Sequence, residues 1–165
     1  MSIIAVKKYN DKIILGADSQ RTIGGLKEET IKVFKVNEDF GFGHCGLSRN
    51  SMLFYYFIQT NSIKISNTIE DIYDFMVKFR DFLKEKTTDW KCESDFIIIN
   101  KGKIFKYTFD SIFEINEYDA IGSGKDFAKA ALYLDKSVYD AVKIACDLTI
   151  YCSEPITIYE FKTTI

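Results

Sequence analysis

Proline and histidine are each represented by a single residue, Pro155 and His44, in this chain of 165 residues. A structural zinc site normally takes its ligands from closely spaced cysteines and histidines, and neither a CxxC pair nor a second histidine is present. The sequence therefore disfavours zinc and predicts reduced thiols. The irregularly spaced cysteines are Cys45, Cys92, Cys146 and Cys152.

Long apolar runs and an excess of one charge are also missing. No run approaches the roughly 20 residues that a membrane-spanning helix needs. The formal net charge of -2 gives no argument for nucleic acid or an anionic membrane as a partner. The opening charges, Lys7 and Lys8, follow the first apolar run, whereas a signal peptide carries its basic residues before it. We therefore predict a cytoplasmic protein that binds neither nucleic acid nor membrane.

Apolar and aromatic residues are abundant, at 47% and 15% of the chain. These fractions are typical of a well-packed globular protein rather than a disordered one. The length suits one ordinary domain with a sizeable core and is short for two. We predict a single domain over residues 1–165.

The apolar patterning predicts strands first, then two helices, and then the same alternation again. The predicted strands are Ile3 to Lys8, Lys12 to Ala17, Ile31 to Val36, Phe40 to His44, Asp95 to Asn100, Lys103 to Thr108, Ser111 to Ile115 and Ile156 to Phe161. The predicted helices run from Ser48 or Asn50 to Gln59, from Asn67 to Leu83, from Gly124 to Leu134 and from Ser137 to Asp147, while Arg21 to Leu26 is predicted as a loop. Antiparallel strands that alternate with helix pairs do not fit a parallel βαβ fold. They predict an α+β fold, a four-layer α/β/β/α sandwich of two stacked antiparallel sheets.

Two arrangements near the strand ends could supply a nucleophile. His44 and Cys45 are adjacent on a predicted strand, so their side chains point to opposite faces and make a poor thiol dyad. Ser2 directly follows the initiator, and removal of Met1 would place an amine and a hydroxyl on one residue. An N-terminal hydroxy amino acid can act as nucleophile and base together. Ser2 is therefore the candidate nucleophile, although a second-position serine is also common by chance.

Further motifs follow Ser2 in a defined order. They are Asp18, sixteen residues on at the end of the second strand; Lys32, within Thr30-Ile31-Lys32-Val33-Phe34; the glycine-rich corner Gly43-His44-Cys45-Gly46-Leu47; and Ile121-Gly122-Ser123-Gly124 before the third helix. By their order and spacing the chain resembles the proteasome-type N-terminal nucleophile (Ntn) peptidases, most closely the bacterial HslV branch and its smaller relatives. The resemblance implies the Ntn hydrolase fold and amide-bond hydrolysis.

The resemblance also implies roles for these residues. Lys32, held by Asp18, would favour the neutral amine of Ser2, and the N–H groups of Gly46 and Leu47 would bind the oxyanion. Ser123 and Asp147 would orient the amine. The family often holds a monovalent cation, such as Na+, through backbone carbonyls that match Cys146, Thr149 and Cys152. No cofactor is required, and the family implies a homo-oligomeric ring, peptide substrates and, for the HslV branch, a ring ATPase unfoldase.

Singly, the motifs also suit ordinary roles. Asp18 would suit a turn, Lys32 a solvated strand face, and Gly122 to Gly124 a plain helix start. Two departures stand out: the nucleophile is Ser rather than Thr, and Cys146 replaces the usual Gly. A non-catalytic scaffold subunit and a small-molecule Ntn amidase are the alternative functions, and retention of Met1 would leave the site inactive.

Overall fold

The computed structural model describes residues 2–61, 65–88 and 92–163. In chain order, the strands among them are β1 (Ile3–Lys8), β2 (Lys12–Ala17), β3 (Gln20–Ile23), β4 (Leu26–Glu29), β5 (Val33–Lys35), β6 (Phe40–Gly46), β7 (Ser94–Asn100), β8 (Lys103–Thr108), β9 (Ser111–Ile115), β10 (Tyr118–Gly122) and β11 (Thr157–Lys162). The helices are α1 (Ser48–Thr60), α2 (Ile69–Lys86), α3 (Lys125–Tyr133) and α4 (Val138–Leu148). None of these helices is long and apolar enough to span a membrane.

Two antiparallel sheets form the centre of the fold. One has the strand order β10-β1-β2-β11 and the other β5-β6-β7-β8-β9, while β3 and β4 form a separate hairpin. Ile4, Leu15, Ile97 and Phe161 belong to the apolar cluster between the two sheets. The predicted α+β sandwich is confirmed, because α1 and α2 cover the outer face of the five-stranded sheet and α3 and α4 that of the four-stranded sheet.

The sequence of β1 explains why this strand can occupy the middle of the sandwich. Ile4 and Val6 pack between the sheets, while Ile3 and Ala5 pack under α3 and α4. A strand buried on both faces is expected to be a continuous apolar run rather than an alternating one. β1 consequently fixes the depth at which the chain's second residue lies.

Small residues on β6 let the sheets approach each other. A Cβ atom on Gly41 would lie 2.3 Å from the ring of Phe161, and one on Gly43 would lie 2.5 Å from the Ile4 side chain. Larger residues at these positions would force the sheets apart. The close approach brings the end of β6 beside the beginning of β1.

Most predicted elements lie where the patterning puts them, with two exceptions. Arg21 to Leu26 is not a loop, since its residues belong to β3 and β4 and only Gly24 and Gly25 form the connecting turn. β10 was not predicted, although it pairs with β1 over five residues. Thr68 caps α2, because its side chain accepts a hydrogen bond from the Asp71 N–H.

Candidate functional site

Ser2 directly precedes β1 and is 6% exposed. Its carbonyl oxygen accepts a hydrogen bond from the Gly124 N–H at 3.2 Å. Gly122 has a positive φ of 96°, and a Cβ atom there would lie 2.3 Å from the Ser2 carbonyl oxygen. The turn that carries the exposed Ser123 therefore packs directly against the Ser2 backbone and requires glycine at its first position.

Asp18 and Lys32 form an ion pair inside the fold. The Lys32 Nζ lies 2.7 Å from the Asp18 Oδ1, and the two side chains are 6% and 0% exposed. Asp18 Oδ1 also accepts from the Ile3 N–H at 2.8 Å, while Oδ2 accepts from the Gln20 N–H at 3.0 Å and the Ser153 N–H at 3.2 Å. A buried carboxylate needs this many donors because its desolvation is costly.

Local chain geometry explains how these two residues meet. Asp18 directly follows β2, and its bond to the N–H two residues later is the side-chain turn that Asp favours. Lys32 precedes β5, and its carbonyl oxygen accepts from the His44 N–H at 2.9 Å. The structure thus places Lys32 in the interior, not on the solvated strand face that also suits its sequence.

A pocket of about 370 Å³ opens where β1, β6 and the start of α1 meet. Ser2, Lys32, Gly46 and Leu47 all line it. Gly46 has a φ of 125°, and a Cβ atom there would lie 2.9 Å from the Glu93 carbonyl oxygen. This conformation lets the chain leave β6 and enter α1 within one residue, Leu47, whose backbone caps the helix. The structure therefore brings the predicted nucleophile, cation and N–H donors to one cavity.

His44 lines the same pocket, a placement the sequence did not predict. Its ring packs 5.0 Å from that of Phe96, and burial, together with the nearby Lys32 charge, lowers the pKa of the imidazole to about 3. Cys45 packs instead between the sheets, where burial and the Asp95 carboxylate raise its thiol pKa to about 12. The two side chains point apart, in agreement with the sequence argument against a thiol dyad.

Asp147 pairs with a lysine of its own helix. Its carboxylate is 56% exposed and accepts a hydrogen bond from Lys143, one helical turn earlier, at 2.6 Å. The i, i+4 spacing on an exposed helix face favours this pair over a contact with the Ser2 amine.

In the same region, Cys146 lies in the last turn of α4, where helix carbonyls lack an intrahelical donor, and Thr149 and Cys152 follow it. A monovalent cation bound by these three carbonyls stays a prediction.

The stacked sheets and their flanking helix pairs define the fold of the Ntn hydrolases. Among solved structures, the chain is similar to BPH from Thiobacillus denitrificans in complex with epoxomicin, with a TM-score of 0.86, 17% identity, and coverage of 99% of this chain and 100% of that one.

Two further structures share this architecture. Eukaryotic HslV from Trypanosoma brucei has a TM-score of 0.70 and 21% identity, over 97% of this chain and 99% of that one. Anbu (ancestral beta-subunit) from Yersinia bercovieri has a TM-score of 0.71 and 12% identity, over 97% of this chain and 81% of that one. No protein-family model and no curated protein matches the chain. The likeness establishes the proteasome-like Ntn fold.

Proposed function

We propose that this protein is an HslV-like peptidase that hydrolyses peptide bonds with Ser2 as an N-terminal nucleophile. The observation that carries the proposal is the pocket that Ser2 shares with the buried Lys32 and with Gly46 and Leu47. A buried lysine held by a fully buried carboxylate is an expensive arrangement, and such arrangements concentrate at functional sites. Its position beside the second residue of the chain matches what a terminal nucleophile requires.

Removal of Met1 would free the α-amine of Ser2. The Ser2 hydroxyl then attacks the substrate carbonyl carbon while the amine accepts the hydroxyl proton. The Lys32 ammonium favours the neutral, proton-accepting form of this amine, because a like charge nearby disfavours a second cation. The N–H groups of Gly46 and Leu47 stabilise the negative oxygen of the tetrahedral intermediate.

The intermediate then collapses in the direction of hydrolysis. The peptide C–N bond breaks, and the Ser2 ammonium returns the proton to the leaving amine, which leaves an ester on the serine oxygen. A water molecule attacks this ester while the Ser2 amine accepts one of its protons. The bond between the acyl carbon and the serine oxygen then breaks, the carboxylic acid leaves, and the Ser2 ammonium returns the proton to the serine oxygen, which restores the hydroxyl and the neutral amine. Ser123, in the turn that packs on Ser2, is proposed to orient the amine. Asp147 would take part in this role only after its carboxylate leaves Lys143, with which it is paired.

The test is covalent labelling with a β-lactone, followed by intact-mass and peptide mass spectrometry. We expect a wild-type mass without Met1 and a single acyl adduct on Ser2. Ser2→Ala should remain unlabelled, while Ser48→Ala, which removes another serine of the same pocket, should label like the wild type. Labelling that survives in Ser2→Ala would rule out the mechanism. An unlabelled wild type that retains Met1 would favour the scaffold alternative.

We extend the proposal to assembly and cofactors by resemblance. The chain would form a homo-oligomeric ring in the cytoplasm, and a ring ATPase unfoldase would deliver its substrates. A sodium ion on the carbonyls of Cys146, Thr149 and Cys152 would order the loop that also brings the Ser153 N–H to Asp18. Native mass spectrometry with and without sodium tests the ring and the ion together.

A further inference from the structure

A buried carboxamide lies next to the turn formed by Gly46 and Leu47. Asn50 is 1% exposed and belongs to the face of α1 that continues, at the i+4 and i+7 positions, with the buried Phe54 and Phe57. An apolar residue would suit this face better, because burying a carboxamide costs free energy unless the group is hydrogen-bonded. A polar residue at such a position calls for a reason beyond packing.

The Asn50 side chain connects the two elements that meet at this turn. Its Nδ2 donates to the Ser94 Oγ at 3.0 Å, and Ser94 is the first residue of β7. Ser94 is 7% exposed and is also the strand partner of Gly46. The hydrogen bond between Asn50 and Ser94 therefore ties the first turn of α1 to β7.

Ser94 packs directly on the backbone of this turn. A Cβ atom on Gly46 would lie 2.5 Å from the Ser94 Oγ, so the hydroxyl occupies the space that a side chain would take. Leu47, the N-cap residue of α1, has no polar side-chain atom that could cap the helix. The bond from Asn50 to Ser94 thus supports a helix start that lacks the usual side-chain cap.

The Gly46 N–H points away from Ser94. The His44 N–H donates to the Lys32 carbonyl oxygen, at the edge of β6 opposite β7. N–H groups two residues apart along a strand point to the same edge, so the Gly46 N–H faces the side of Lys32, which lines the pocket. Contact with Ser94 at the other edge then sets how far this N–H reaches toward the pocket.

We propose that Asn50 and Ser94 are positioning residues, which hold the two N–H groups of the turn where a negative carbonyl oxygen needs them. The proposal rests on the proposed function, in which Ser2 attacks a carbonyl carbon and these N–H groups stabilise the oxygen. Neither Asn50 nor Ser94 lines the pocket, so both act through the backbone of the turn. Such donors are effective because they are held in place before the reaction, and loss of the pair should slow acylation of Ser2 about 10-fold.

The test removes the pair without leaving an unpaired group. Asn50→Leu combined with Ser94→Ala replaces both partners by apolar side chains, an exchange that is close to neutral for stability. Urea denaturation should give a free energy of unfolding close to that of the wild type, while the maximal rate constant of β-lactone acylation falls about 10-fold. The β-lactone concentration that gives half of this rate should not change, because the pair acts on the transition state and not on binding of the probe. An unchanged acylation rate in the folded double variant would overturn the proposal.

The pH dependence of acylation separates this role from that of Lys32. The charge of Lys32 would alter the fraction of neutral Ser2 amine, whereas Asn50 and Ser94 carry no charge. The double variant should therefore lose the same factor in rate at every pH between about 6 and about 9. A profile displaced along the pH axis would assign the loss to the amine and would overturn the positioning role.

Asn100→Ala is the matched control for a single variant, Asn50→Ala. Asn100 is 3% exposed at the other end of β7, and its Nδ2 donates to the Ser66 carbonyl oxygen at 2.8 Å. Each variant removes one buried carboxamide, and both should lower the free energy of unfolding, but only Asn50→Ala should slow acylation. Equal rates in the two variants would overturn the proposal, and this comparison also decides it if the double variant does not fold.

Hydrogen exchange measured by mass spectrometry reports on the turn without any reaction. Peptides that cover residues 43–50 should exchange faster in the double variant than in the wild type, whether or not Ser2 reacts. An unlabelled wild type with this faster exchange refutes the catalysis and supports the positioning of the turn. A labelled wild type, with acylation and exchange unchanged in the double variant, refutes only the positioning.

Discussion

Four hydrogen-bond donors surround the buried Asp18 carboxylate, and the loss of any one of them is expected to destabilise the fold. Lys32→Met would leave a fully buried carboxylate with only its backbone N–H donors. Breaking a buried pair in this way costs about 3–5 kcal/mol, so we expect that loss in the free energy of unfolding measured in urea. The proposed mechanism predicts that β-lactone labelling of Ser2 disappears as well.

Lys143→Met is the control for this experiment, because it also breaks a lysine–aspartate pair. The pair of Lys143 with Asp147 is about half exposed, and such pairs contribute little to stability. The free energy of unfolding should therefore stay close to that of the wild type. An equal decrease in the free energy of unfolding of the two variants would contradict the prediction that the buried pair contributes more to stability than the exposed pair.

His44 makes stability depend on pH, and it is the sole histidine of the chain. In the unfolded state an imidazole titrates near a pKa of about 6.5, whereas in the fold its pKa is about 3. The unfolded state consequently binds more protons between these values, and the stability contributed at higher pH is lost as the pH falls. We expect the free energy of unfolding of the wild type to fall by about 1 kcal/mol from pH 7.5 to pH 5.5.

His44→Phe removes this titration, so its free energy of unfolding should change less over the same interval. Urea denaturation at both pH values provides the measurement. If the free energy of unfolding of the variant changed with pH as much as that of the wild type, His44 would not remain neutral in the fold.

Single residues show how far sequence reasoning reached at the site. Asp18 and Lys32 were predicted as partners from their places in an ordered motif, and they are 2.7 Å apart. Asp147 pairs with a lysine four residues earlier, a local partner that motif matching ignores, and its role beside the Ser2 amine stays a prediction. His44 was missed as a pocket residue because only the folded sheet shows that the face of β6 opposite Cys45 reaches the pocket.

At the scale of elements, the turn after β10 controls where β1 begins. Gly122→Ala would set its Cβ atom against the Ser2 backbone, 2.3 Å from the carbonyl oxygen, and would also strain a φ of 96°. We expect displacement of Ser2 and loss of β-lactone labelling. Labelling kinetics and circular dichroism together separate displacement from unfolding.

Gly24→Ala is the matched comparison for this turn. Gly24 also has a positive φ, 56°, but no atom lies within 4 Å of the position its Cβ would take. This variant carries backbone strain of about 1 kcal/mol without a clash, so labelling should persist. Loss of labelling in both variants would mean that strain alone, rather than contact with Ser2, accounts for the effect.

The predicted elements also show where local patterning fails. β1 and β2 have the bounds that their apolar runs predict, because each run is buried along most of its length. β3 and β4 were missed, as most of their side chains are exposed and supply no apolar alternation. β10 was missed because its charged residue Asp119 is buried and paired with Lys106 and Lys129, a compensation that depends on distant segments.

At the scale of the whole molecule, several large apolar side chains face outward. Met52 is 70% exposed, and Tyr133 and Ile150 are each 77% exposed. The proposed ring would bury side chains of this kind at its subunit contacts. We expect sedimentation equilibrium to give a mass that is a multiple of the 19.1 kDa protomer. A monomer at high micromolar concentration would contradict the proposed ring.

The four hydrogen-bond donors to Asp18 come from segments that are synthesised at different times. Its donors come from β1, from the start of β3, from Lys32 and from Ser153, close to the last strand. During synthesis, the donors from β1, β3 and Lys32 leave the ribosome long before Ser153 does. If Ser2 is the nucleophile, its catalytic site is complete only after the segment that carries Ser153 has joined the fold.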